Sequence, residues 1–288
     1  MTVLNQMLNS VGGDYIALIF LCITRLVSPV TISIAAVIVY WCLDKKKGIA
    51  IASAVTISVS LNAFLKKAFA IDRPYVKDTA IKQLDLEASG YSFPSGHAQQ
   101  ISTIMSGMYF NYRNLWMLIA GITLIVSVDI SRIYLGVHSV SDVIVGTVIG
   151  IILAWVINAL VIKILKSDHP KYLYFLCIFQ AILFYVYRNS DIIKMTGASF
   201  GAVTGYIIEE KLVGYRPPHE YRDKIRALIV GLVTTGCLKF LTAEFLGTSR
   251  WYYVFLDYCI FGFAVTALVP ATIKALGISN KHKGRKHA

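Results

Sequence analysis

A chain of 288 residues that is 56% hydrophobic and only 15% charged, with a mean hydropathy of +0.63, is too apolar for an ordinary soluble domain and reads as an integral membrane protein. The net charge is +12, but its Lys and Arg lie in short loops and a C-terminal tail between apolar runs, where they orient spans and meet anionic headgroups. No soluble basic domain is left to bind nucleic acid.

From the start of the chain, Met1 to Gly13 is polar and uncharged and leads into a short apolar run from Tyr15 to Ile23. A basic n-region and a clear cleavage site are both missing, so no removable signal peptide is expected. The apolar run is short for a span, which favours an interfacial helix over a tenth span. Nine bilayer-length segments follow, at 27–43, 48–69, 96–111, 114–131, 140–163, 172–188, 191–209, 225–245 and 251–274. In a nine-span layout one side collects Lys45-Lys46-Lys47, Arg113, then Lys163, Lys166 and Lys171, then Lys211, Arg216, Arg222, Lys224 and Arg226, and the tail residues Lys281, Lys283, Arg285 and Lys286. The positive-inside rule makes that side cytoplasmic.

The opposite side carries Lys66, Lys67, Arg73, Lys77, Lys82 and Arg132, a basic patch better explained by an anionic ligand than by topology. Within it, Lys67, Lys77 and Lys82 read as snorkelling charges at the membrane boundary. Gly197, Gly201 and Gly205 recur at four-residue spacing and predict a close helix approach, and Pro217-Pro218 marks a break between helices. Cys22, Cys42, Cys177, Cys237 and Cys259 sit singly in apolar stretches, with no CxxC pair and no metal-ligand spacing, and read as buried structural thiols.

Three clusters of polar residues interrupt the apolar pattern, and charges beside bilayer-length runs are functional candidates by default. Lys66, Arg73 and Arg132 all reach the outer surface, where fixed cations can hold the charge that spreads over phosphoryl oxygens in transfer; Arg grips two oxygens at once and Lys acts as a point charge. Pro94-Ser95-Gly96-His97 opens an apolar helix, so its backbone N–H groups and the Ser95 hydroxyl can bind phosphate, although Ser95 equally suits a plain N-cap. His138 and Asp142 are four residues apart, which predicts one face of a helix starting the fifth span, with the carboxylate orienting the imidazole. An ordinary helix-surface pair is the alternative.

In this order and spacing the residues resemble the type 2 phosphatidic acid phosphatase superfamily of membrane phosphatases. Its signature, Lys-x6-Arg-Pro, Pro-Ser-Gly-His and Ser-Arg-x5-His-x3-Asp, is matched by Lys66, Arg73 and Pro74, by Pro94 to His97, and by Ser131, Arg132, His138 and Asp142. The resemblance covers roughly residues 27–163. Beyond them the extra spans, nine in total, look like the layout of the glucose-6-phosphatase branch. The resemblance implies that His138 attacks phosphorus and becomes a phosphohistidine, with Asp142 orienting it. It further implies that His97 protonates the leaving oxygen and then activates water, and that Lys66, Arg73, Ser95, the Gly96 amide and Arg132 hold the phosphoryl oxygens, with no metal or other cofactor required.

The expected fold is all-α, a polytopic transmembrane bundle with a six-helix catalytic core typical of that family and extra C-terminal spans. Its parts are an N-terminal interfacial helix or extra span at 1–26, the catalytic core at 27–166, C-terminal helices at 167–275 and a basic cytoplasmic tail at 276–288. The expected function is hydrolysis of a lipid phosphate or lipid pyrophosphate, at a site facing away from the cytoplasm in a multi-pass cell-membrane protein. A soluble sugar phosphate as substrate and a lipid phosphotransferase are the alternatives. A transporter would not need both histidines, and a vanadate haloperoxidase is disfavoured by the density of spans.

Overall fold

The computed structural model describes residues 6, 13–25, 27–246 and 250–280; the basic tail residues Lys281, Lys283, Arg285 and Lys286 lie outside them. Among the described residues all regular secondary structure is helical, with no strand. In chain order the helices are α1 (Asp14–Arg25), α2 (Pro29–Ile38, continued by a π turn over Val39–Leu43), α3 (Lys45–Phe69), the one-turn α4 (Pro74–Lys77), α5 (Gly96–Tyr112), α6 (Leu115–Tyr134) and α7 (Val140–Lys166). Then come α8 (Tyr174–Val186), α9 (Ser190–Ile208, with a π turn over Glu209–Val213), α10 (Tyr221–Leu246), α11 (Trp251–Phe263, with a π turn over Ala264–Leu268) and α12 (Val269–Ala275).

Local chemistry sets these boundaries. Asp44, Ser95, Asn114 and Asn189 each accept a backbone N–H of the first turn of α3, α5, α6 and α9, and Ser139 with Asp142 forms a full capping box on α7. By length and composition α3, α6, α7, α10 and the α11–α12 run can cross a membrane. The remaining segments expected as spans are helical but shorter, as in α2 and α8, or richer in polar residues, as in α5 and α9.

The outside of the bundle is apolar: Trp116 is 77% exposed, Phe240 74% and Trp155 62%, as a surface bathed in lipid tails requires. Polar groups instead meet inside. From α3, Ser58 accepts from Gln99 and Thr103 of α5, Asn62 donates to Gln99 at 2.8 Å, Ser60 accepts from Gln180 of α8 and Thr56 pairs with Ser199 of α9. Such bonds fasten helices where no hydrophobic force acts between them. They put α3 at the centre, with α5 and α7 on one flank and α8 and α9 on another.

Close approach depends on glycine. A Cβ at Gly146 would stand 2.6 Å from the Ser95 carbonyl, and one at Gly150 would collide with that of Gln99, which brings α7 against α5. Side chains at Gly197, Gly201 or Gly205 would strike the Phe255 and Cys259 carbonyls and the Thr266 hydroxyl, so the expected small-residue stripe is the contact of α9 with α11 and its π turn. The C-terminal helices are tied back to α2 and α3: Trp41 Nε1 donates to the Val265 carbonyl at 2.8 Å, Tyr40 to Thr266, and Lys45 meets the fully buried Glu209 at 2.9 Å.

The turns sort to two ends. One gathers Lys46, Lys47, Arg113 and Lys166 around a cavity of about 510 Å³, and Lys45 with Glu209 and Glu210. The other carries the long 70–95 loop, the α6–α7 turn and Asn189. One expectation needs correcting: Cys22 and Cys237 are exposed, while Cys42 and Cys177 are buried. An apolar neighbourhood in sequence faces lipid as readily as core, so it does not predict burial in the protein.

Replacing Gly201 by Leu is expected to destabilise the bundle by about 1–3 kcal/mol or more through overpacking. The same change at Gly236, where a Cβ meets nothing within 4 Å, is expected to leave thermal unfolding in detergent unchanged. Equal melting temperatures for the two variants would contradict this packing.

Candidate active site

The second end encloses a cavity of about 650 Å³ lined by Lys66, Arg73, Gly96, His97, Arg132 and His138, with Asn62, Lys67, Arg25, Asp85, Glu87 and Asp191 among its other walls. Lys66 comes from the last turn of α3 and Arg73 from the N-cap of α4. His97 is the second residue of α5, and Arg132 lies in the last turn of α6. Residues spread over more than seventy positions thus share one recess, because their helices all end there. Lys67, expected as a boundary charge, lines the same recess.

The 70–95 loop that closes the recess is stitched down by its own backbone. Ser92 N donates to the Ile71 carbonyl at 2.7 Å, Ser95 N to Asp142 at 2.9 Å and Leu84 N to Leu135 at 3.1 Å. Gly136, at φ +74, lets the α6–α7 turn come so close that a Cβ there would collide with the Lys82 carbonyl.

Lys66 and Arg73 are held by carbonyl oxygens. Lys66 Nζ donates to the carbonyls of Tyr91 at 2.7 Å and Ser92 at 3.0 Å. Arg73 donates to those of Ser89 at 2.7 Å, Gly90 at 3.0 Å and Val137 at 3.0 Å, and its Nη1 lies 3.4 Å from His138 Nε2. Arg132 is 1% exposed and its Nη1 meets Asp85 Oδ2 at 2.9 Å; its buried Nε has no hydrogen-bond partner among the described residues. Burial works to raise the Asp85 carboxyl, but the bond and charge of Arg132, with the Glu87 amide, outweigh it and hold the group below the usual carboxylate range. Arg25 of α1 reaches Asp85 at 3.9 Å and pairs with Glu87.

The histidine pair differs from the expectation. His138 lies before α7 and not on it, because Ser139 takes the N-cap and Asp142 becomes the third helical residue of the capping box. The His138 Nδ1 to Asp142 Oδ2 distance is consequently 3.6 Å, and the Ser92 hydroxyl lies beside both, 2.5 Å from Oδ2 and 3.3 Å from Nδ1. Burial, reinforced by the charges of Lys66, Arg132 and Arg73 and opposed by Asp142, drives the imidazole well below the ordinary histidine pKa. His138 is therefore neutral, with a lone pair available at neutral pH.

The other motif positions make contacts that hold this arrangement together. Ser95 is fully buried as the N-cap of α5, its Oγ accepting from Ala98 N at 3.4 Å, and does not line the cavity. Pro74 starts α4, the Pro94 carbonyl accepts from Asn62, and Ser131 bonds to Thr24 of α1. Residues not singled out from the sequence are Ser92, Asp85, Arg25, Asn62 and Gln99. Only the Tyr-Ser-Phe run before Pro94 could have flagged Ser92, since the others belong to no spaced pattern with the motifs. A recess rich in cations, with a neutral imidazole and a second histidine, can bind a tetrahedral oxyanion and offer it a nitrogen nucleophile.

Comparison with known proteins agrees with this geometry. Residues 47–166 match the model of the PAP2 superfamily, and residues 193–281 match that of the PAP2 superfamily phosphatase, transmembrane extension. An undecaprenyl-diphosphatase of Sulfolobus acidocaldarius is 33% identical over 121 residues, which cover 42% of this chain and 58% of that protein. The matched stretch thus spans little more than half of that relative's length. No solved structure matches the chain. With both models of one superfamily matched in order, and its three motifs around a single recess, the chain belongs to the PAP2 superfamily.

Proposed function

We propose that the protein is a multi-pass membrane phosphatase that hydrolyses a lipid phosphate or lipid pyrophosphate through a phosphohistidine, at a site on the non-cytoplasmic face. The observation that carries the reading is the convergence of His97, His138, Lys66, Arg73 and Arg132 on one cavity. Membership of the superfamily supports the phosphatase class, and the undecaprenyl-diphosphatase relative supports a lipid pyrophosphate among the substrates.

In this scheme Lys66, Arg73 and Arg132, with the Gly96 amide at the start of α5, hold the phosphoryl oxygens. His138 Nε2 attacks phosphorus, a P–N bond forms as the P–O bond to the leaving group breaks, and His97 gives that oxygen its proton. His97, now neutral, takes a proton from water as the water oxygen attacks phosphorus; the P–N bond breaks and inorganic phosphate leaves. Fixed cations aimed at the charge that develops supply the main stabilisation. Asp142 anchors the arrangement from behind. Ser95 acts through the helix start that it caps.

The recess opens among helix ends, at the depth where a lipid headgroup lies while its tail stays in the bilayer. The basic turns at the opposite end of the bundle fit the cytoplasmic side by the positive-inside rule, which leaves the site outside. In the proposed division, 27–166 carries the chemistry, 167–275 braces it, and α1 lies at the interface.

His138→Ala is expected to abolish both turnover and the labelled phosphoenzyme. His97→Ala should slow phosphate release by about 10²- to 10⁴-fold, and a variant that turns over at the original rate on a poor leaving group would make His97 structural. For sidedness, a cysteine at Val76, which is 59% exposed, should react with an impermeant maleimide in intact cells when Cys22 and Cys237 are first removed. Reaction only after lysis would invert the topology. A panel of prenyl diphosphates, phosphatidic acid and water-soluble sugar phosphates, read by released phosphate, is expected to favour the lipids; preference for sugar phosphates would overturn the substrate class.

A further inference from the structure

We propose that Ser92 is a positioning residue for His138: its hydroxyl stands between the imidazole and Asp142, transmits the carboxylate's hold to the ring, and so decides which ring nitrogen carries the lone pair. The inference rests on the reading of His138 as nucleophile.

Asp142 Oδ2 and His138 Nδ1 are 3.6 Å apart, beyond a good hydrogen bond. The Ser92 hydroxyl has one hydrogen to give. The carboxylate oxygen at 2.5 Å is a far stronger claimant than the Val137 carbonyl at 3.4 Å, because charge-assisted bonds are the short and strong ones. With its hydrogen committed, Oγ turns a lone pair to Nδ1 at 3.3 Å, an attraction only when Nδ1 is protonated. On the opposite edge of the ring, Nε2 faces Arg73 Nη1 at 3.4 Å, and a guanidinium has only hydrogens to present. Both edges therefore select the Nδ1–H tautomer, which leaves Nε2 as the attacking atom beside a phosphate-holding arginine.

Asp142 is not at liberty to replace the serine. Its Oδ2 also accepts the Ser139 amide at 2.8 Å as half of the α7 capping box, so swinging it onto the ring would break that half of the box. Ser92 is itself held on both sides, its N–H donating to the Ile71 carbonyl and its own carbonyl accepting from Lys66, and it is 1% exposed. The hydroxyl thus has a fixed place, closer to each of the two groups than they are to one another.

The test compares Ser92→Ala and Ser92→Thr in the purified full-length protein, using farnesyl diphosphate labelled in its terminal phosphoryl group. Ser92→Ala should slow phosphoenzyme formation by about 10- to 100-fold, the worth of a hydrogen bond to a charged group, at unchanged KM. Ser92→Thr should restore most of the rate. Nitrogen NMR of histidine-labelled protein should show the His138 signal, assigned by its loss in a His138 variant, move from one tautomer to a mixture in Ser92→Ala alone. A normal phosphorylation rate and a single tautomer in Ser92→Ala would overturn the proposal while leaving His138 as nucleophile. Equal slowing in both variants with the tautomer unmoved would reduce Ser92 to a packing role and overturn it too. A phosphoenzyme that survives His138→Ala would instead sink the reading beneath it.

Discussion

Like charges crowded at one end of a membrane bundle repel, and the structure depends on how that repulsion is contained. Lys66, Arg73 and Arg132 line one recess, two of them buried, and a charge taken out of water needs oxygen atoms close by. For the lysine and Arg73 these are main-chain carbonyls of residues 89–92 and 137; for Arg132 the oxygen is a carboxylate, Asp85. The 70–95 loop is therefore the counter-electrode of the cation cluster as well as a connection between helices. Neutral dipoles hold Lys66 and Arg73 without cancelling their charge, whereas Asp85 offsets that of Arg132.

How much of this was legible from residues alone depends on the range of the interactions. Helix positions followed from the apolar runs, the close approach at Gly197, Gly201 and Gly205 from spacing, and the grouping of Lys66, Arg73, His97, Arg132 and His138 from the fact that each sits beside a helix end. What stayed hidden was decided by tertiary partners. Nothing near Asp85 announces that it will meet Arg132 across 47 positions, and a His-x3-Asp spacing does not reveal that Ser139 will claim the cap and leave His138 outside the helix. The lipid-facing thiols escaped for a related reason, since hydropathy scores a residue's chemistry and not the direction in which its helix points it.

The C-terminal helices matter to the site through α3. That helix contributes Lys66 at one end, is gripped by Glu209 through Lys45 at the other, and bonds along its length to Gln180 and Ser199. The C-terminal half thus holds α3 both at the end opposite Lys66 and along its length. Packing of α9 on α11, and the tie of Trp41 to Val265, keep that half from sliding.

The amide ladder between α3 and α5 has a geometric effect of its own. Gln99 bonds to the Ser58 carbonyl and hydroxyl as well as to Asn62, and Asn62 also grasps the Pro94 carbonyl just ahead of the helix. Spinning α5 about its long axis by even one residue would strand several amide hydrogens among aliphatic neighbours, at roughly 1–3 kcal/mol for each group left unsatisfied. The azimuth of His97, two residues before Gln99, is thereby keyed like a shaft in its slot, so the direction in which this imidazole faces the recess is set by the amide contacts between α3 and α5.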